Sequence, residues 1–149
     1  MTRVECGDWI LEVDVGATRR AYETIPMGHP ESCGCLHCRN FAAGRHLAYP
    51  AAALELYEKL GIRPDREAEI YEAGPAVPER QRYYGGWHHF IGRVLKKSDR
   101  DVAIAPGFSM VFAESRSCAE AVFMTEPAVV QVEFFTTVPW VLEEQLPDG

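Results

Sequence analysis

Residues 83–95, YYGGWHHFIGRVL, and 128–138, AVVQVEFFTTV, decide how this chain folds. Both are runs of aromatic and β-branched residues, the side chains that pack well on a pleated, half-buried surface. Residues 107–114, GFSMVFAE, form a third such run, and turn-forming or charged residues separate the three. Three antiparallel strands are the economical arrangement. Pro127 and Pro139 limit the last of them, because proline removes a ladder donor.

Working outward, Trp9, Leu11, Val13 and Val15 alternate with Ile10, Glu12 and Asp14, the period of a strand buried on one face. Gly16 closes it, and residues 17–25, ATRRAYETI, are expected to continue into a second, weaker strand. Pro26, Gly28 and Pro30 then break regular structure, so the following cysteines should open on a loop. Leu36 to Leu47 suits a short helix. Pro50 fits the first turn of another that carries Leu54, Leu56, Tyr57 and Leu60 and stops at Gly61. Residues 64–79 are charged and punctuated by Pro75 and Pro78, which reads as connection with a short edge strand in AEIYEAG. The terminal LPDG reads as a frayed tail. Strands do not alternate regularly with helices. The expected class is therefore α+β, a mainly antiparallel sheet with about two helices packed on one face.

At 149 residues, 47% of them hydrophobic, the chain has the size and apolar content of a single domain spanning 1–149. Its net charge of −7 repels phosphate backbones and anionic membranes, which excludes general nucleic-acid and membrane binding unless basic residues are concentrated. The nearest thing to such a patch is Arg93, Lys96, Lys97 and Arg100, beside Asp99 and Asp101, and it reads as a solvated turn. The opening MTRVECGDWILEV is acidic where a secretory leader would be basic, and no stretch approaches the roughly 20 apolar residues of a membrane span. A cytoplasmic location is expected. In that reducing compartment five cysteines suit thiols or metal ligands better than a disulfide framework.

Three of those cysteines crowd into GHPESCGCLHCRNF, as Cys33-x-Cys35-x-x-Cys38 with His29 before them and His37 among them. A two-residue gap lets two thiolates face one ion, and Gly34 permits the tight turn that would bring in Cys33. A structural zinc takes four ligands. His29 is the first choice for the fourth, with Cys6, His46, His88, His89 and Cys118 able to arrive through the fold. Ordinary buried thiols account for the string about as well as zinc does. A reactive thiol is the third reading, since a helix start and Arg39 beside Cys35 and Cys38 would favour the thiolate.

The run 83–90 groups aromatics with His88 and His89 around a diglycine. On a strand Trp87 and His89 face one way, and His88 and Phe90 the other, so the two histidines do not share a metal as neighbours. A pocket using Arg39, Tyr84, Trp87, His88 and His89 is the enzyme alternative, and core packing is the plainer reading. No phosphate loop, dinucleotide fingerprint, nucleophile elbow or His-Glu-x-x-His pair occurs.

GHPESCGCLHCRNF, YPAAALELYEKLGIRPDREAEIYEAG, YYGGWHHFIGRV and VVQVEFFTTVPWVLEE, in that order, resemble a group of small uncharacterised bacterial proteins with a GHP…CxCxxCRNF loop and a YGGW aromatic strand. The matching positions are His29, Cys33, Cys35, Cys38, Arg39, Asn40 and Phe41. The resemblance implies a single domain and carries no activity with it. The expectation is a bacterial cytoplasmic binding or interaction domain with a Cys-rich loop that holds zinc. Its partner would be a protein or small molecule. The alternatives are a small enzyme using a thiol with His88 or His89, and a homodimer paired through an exposed strand at 128–138.

Overall fold

The computed structural model describes residues 1–76, 80–144 and 146; Pro78 and the last three residues of the LPDG tail lie outside them. Among the described residues the chain forms seven strands and five helices: β1 Thr2–Cys6, β2 Trp9–Val13, α1 Val15–Glu23, α2 His29–Cys33, α3 Leu36–Ala48, α4 Ala51–Leu60, β3 Glu69–Ala76, β4 Gln81–Lys96, β5 Val102–Ala105, β6 Phe108–Ala113, α5 Ala121–Met124 and β7 Val129–Pro139. The strands make one sheet in the order β1-β2-β4-β7-β6-β5, with β3 also on β4 and every pairing antiparallel. The α+β class and the antiparallel sheet stand. The expectation of about two helices is corrected to five, because α1, α2 and α5 were not expected.

The long strand β4 organises the sheet. One edge pairs with β7 along residues 81–91; the other pairs first with β3, along 81–87, and then with β2, along 92–96. Between β3 and β2 the main chain of His89 and Ile91 has no strand beside it. Helix α1 fills this gap. The Tyr22 hydroxyl donates to His89 O at 2.8 Å and accepts from His89 N–H at 3.1 Å, Thr18 Oγ1 accepts from Ile91 N–H at 3.0 Å, and Asp14 N–H donates to Ile91 O at 2.8 Å. Buried main-chain groups thereby find partners that a ladder would otherwise supply. This corrects the strand expected at 17–25: Asp14 caps the helix by accepting from Ala17 N–H, and Thr18, Ala21 and Tyr22 form its buried face at helical spacing.

Helices α3 and α4 cover one face of the sheet, which carries Tyr84, Phe90, Phe108, Met110, Phe112, Val132 and Phe134. Phe41 of α3 meets Tyr84 and Phe134, and Tyr49, between the helices, meets Phe134 and Phe108. Gly85 and Gly86 sit in mid-strand, neither a turn nor a bulge. A Cβ at Gly85 would fall on the ring of Tyr71, and one at Gly86 would meet Glu69 O at 2.5 Å. β7 is interior rather than the exposed strand expected at 128–138, paired with β4 over 129–139 and with β6 over 131–135; β1, β3 and β5 are the edge strands. No helix among the described residues is long and apolar enough to cross a membrane.

Candidate metal centre

The cysteine string folds as two helices about a glycine corner rather than as a loop. Gly28 precedes α2, Pro30 occupies its first turn, and Gly34 ends it in the left-handed conformation (φ 70°), its N–H returning to Pro30 O at 3.2 Å. Cys35, still extended, is the N-cap of α3, and Arg39 N–H donates to its carbonyl at 2.8 Å. The corner therefore apposes Cys33, at the end of α2, to Cys38 in the first turn of α3.

His29, at the start of α2, completes the group: one ligand atom from each of His29, Cys33 and Cys38 lies within 4.8 Å of the others. Tetrahedral zinc with bonds of about 2.0–2.3 Å sets its ligands about 3.3–3.8 Å apart, so closure needs an inward shift of about 1 Å. Cys35 adjoins the other thiols. Partial burial raises its pKa, but the Cys38 N–H, the Cys33 and Cys38 thiols and the His37 N–H outweigh this and hold it below the ordinary thiol value. Cys38 behaves oppositely, because burial and its thiol neighbours push it well up. Cys33 and Cys35 are exposed, Cys38 is buried, and all are free thiols.

Behind the cluster His29 Nε2 lies 3.0 Å from Glu69 Oε1 on β3. A carboxylate on one imidazole nitrogen orients the ring and leaves the other nitrogen for a metal. Helix α2 is also tied down by charge. Arg45 of α3 joins Glu31 and the fully buried Glu67, each at 2.8 Å, the Tyr49 hydroxyl donates to Glu67 at 2.7 Å, and His29 N–H donates to Glu67 O at 2.8 Å.

The remaining candidates for a fourth ligand lie outside the group, Cys118 reaching no nearer than Glu69, the partner of His29. Cys6 is buried in β1, where burial pushes its thiol up to about 11, and His46 is exposed on α3. Cys118 is exposed and faces Glu69, whose charge adds to slight burial in raising its pKa. His88 is wholly buried against Tyr57 and Phe134, with Nε2 2.9 Å from Pro64 O. His89 lies on the other face beside Phe123.

The five residues of the expected pocket are likewise dispersed. Arg39 pairs with Glu144 at 2.8 Å, Tyr84 donates to His37 O at 2.9 Å, and Trp87 donates to Ser117 O at 2.9 Å. A largely apolar cleft of about 420 Å³ lies away from them, between α3, α4 and Pro64–Asp65. The neighbouring Asn40 holds the end of β7, donating to Pro139 O at 3.2 Å and accepting from Val141 N–H at 2.8 Å. Glu67 and Glu69 read in the sequence as glutamates on solvated faces, and Arg45 carries no signal there; burial of Glu67 corrects the first of these. Comparison with known protein families, characterised proteins and solved structures finds no match to the chain.

Proposed function

We propose that this chain is a cytoplasmic binding domain whose His29, Cys33, Cys35 and Cys38 hold one zinc ion as a structural clip. The observation that carries the reading is the convergence of His29, Cys33 and Cys38 within 4.8 Å, with Cys35 against the two thiols. Thiolates are soft donors, and three with one imidazole suit zinc in a closed tetrahedral site. Bound there, the ion joins α2 to α3 beside the edge strand β3 and supplies cross-linking rather than a reactive water. The Arg45–Glu31–Glu67 network already anchors α2, so the metal adds local stability to a segment that is docked without it.

Metal analysis of tag-free protein should find one zinc per chain, and cobalt substitution should give the intense visible bands of tetrahedral thiolate coordination. Cys38→Ser and His29→Ala should each lower affinity by at least tenfold. Absence of stoichiometric metal, or full affinity in both variants, would overturn the reading.

A further inference from the structure

We propose that Cys35 and Cys38 are also a two-electron redox couple, and that their oxidation to a disulfide opens the site and releases the metal; the second half rests on the metal-binding reading above. The couple is defined by position. Cys35 is the N-cap of α3 and Cys38 lies three residues on, in its first turn. Helical rise and radius set such Cα atoms about 5 Å apart, inside the span of about 4.4–6.8 Å that a disulfide bridges. Gly34 turns the chain just before them, so that Cys35 sits at the start of α3 directly before the turn that carries Cys38. Exposure divides the roles. Cys35 is open to an oxidant, and Cys38 is buried next to it as the resolving thiol.

A hydroperoxide is the oxidant class. The Cys35 sulfur attacks one peroxide oxygen; an S–O bond forms, the O–O bond breaks, and the departing oxygen takes a proton to leave as alcohol, or as water from hydrogen peroxide. The Cys38 sulfur then attacks the Cys35 sulfenic acid. The S–S bond forms, the S–O bond breaks, and the leaving hydroxide takes a proton from water, or from Cys38 itself where no metal is bound and it is a thiol. Two sulfurs have lost two electrons and the peroxide has gained them. His29 and Cys33 remain as donors, too few to retain zinc against a chelator.

The test uses the full chain loaded with zinc, carrying Cys118→Ser so that this exposed thiol forms no links between molecules. Stoichiometric hydrogen peroxide should release one zinc per chain to a chromogenic chelator. Peptide mapping should show a Cys35–Cys38 link, and dithiothreitol should restore zinc uptake. A link from Cys33 instead, oxidation to sulfinic acid without a disulfide, or zinc retained after the link forms would each overturn the proposal while leaving the metal site standing. A chain that takes up no zinc before oxidation overturns both. Cys33→Ser should still give the Cys35–Cys38 link, and losing it there also counts against the couple.

Discussion

Mild acid should destabilise this protein before its carboxylates titrate, because two imidazoles are buried uncharged. His88 is fully buried and His89 is 1% exposed. Burial lowers both pKa values to about 4; for His89 the neighbouring His88 adds to this and the Ser117 main chain partly offsets it. An unfolded histidine titrates near 6.5. Between about pH 4 and 6.5 the unfolded chain thus binds protons that the folded chain refuses, so stability rises with pH across that window and is lost as pH falls. From pH 7 to pH 5 the linkage integral gives a loss of about 2 kcal/mol per imidazole, about 4 kcal/mol for the pair. Glu67 works the other way: burial raises its pKa against the pull of Arg45 and Tyr49, so the folded state gains a proton on acidification and trims the loss. Urea unfolding at pH 7, 6 and 5 measures the slope. His89→Phe isolates the cause, since the ring packs on Phe123 and the Ser117 main chain gives its nitrogens only a weak contact, short of full hydrogen-bond geometry. The variant should match or exceed wild-type stability at pH 7 and show about half the pH slope. A slope equal to wild type would refute the reasoning, because it would mean that His89 protonates in the folded state.

Tyr22→Phe removes the one hydroxyl paired with both His89 N–H and His89 O, and should cost about 2–3 kcal/mol in urea unfolding; a loss below about 0.5 kcal/mol would show that the gap in the β4 edge does not depend on α1. Arg45→Met strands the buried Glu67 and should cost roughly 3–5 kcal/mol, with Glu67→Gln in the same chain recovering part of it; strictly additive losses would mean that the two side chains are not coupled. Asn40→Ala frees Pro139 O and Val141 N–H, and should lower stability by about 2 kcal/mol while hydrogen exchange at Val141 rises; unchanged exchange there would contradict the clamp. Gly85→Ala collides with the Tyr71 ring and should cost about 1–3 kcal/mol, a loss that Tyr71→Ala in the same chain largely cancels; if the two losses add, the collision is not the cause.

What could be read from the sequence follows the range of the interactions concerned. β4, β6 and β7 are dense in aromatic and β-branched residues, so a local signal and the global sheet agree, and α4 carries its own stop at Gly61. Helix α1 misled because its buried face, Thr18 and Tyr22, is selected by an unpaired stretch of β4 about 70 residues away. β1 and β5 are five and four residues long and pair only at the rim, too short to stand out by composition. The candidate metal cluster divides along the same line. The residues it brings together, His29, Cys33 and Cys38, lie within ten positions on two helix ends joined by Gly34, which is why they could be picked out from their spacing. The groups behind them carry no motif: Glu69 beside His29 and Glu67 beneath α2 come from a distant part of the chain, and Arg45, on the same helix as Cys38, is matched to Glu67 only by the fold. His88 and His89 show the converse. Their local setting of aromatics and diglycine suggested a pocket, but alternation along β4 sends one ring into the helix-covered core and the other beneath α5, where both are kept neutral and away from the thiols. A cluster whose donors are local and whose carboxylate supports are distant would bind an ion tightly only once the sheet has formed around it. Metal affinity should therefore report on tertiary structure: urea that melts the sheet should release the ion in the same transition, whereas a free peptide of residues 28–41 should bind it far more weakly than the folded chain does.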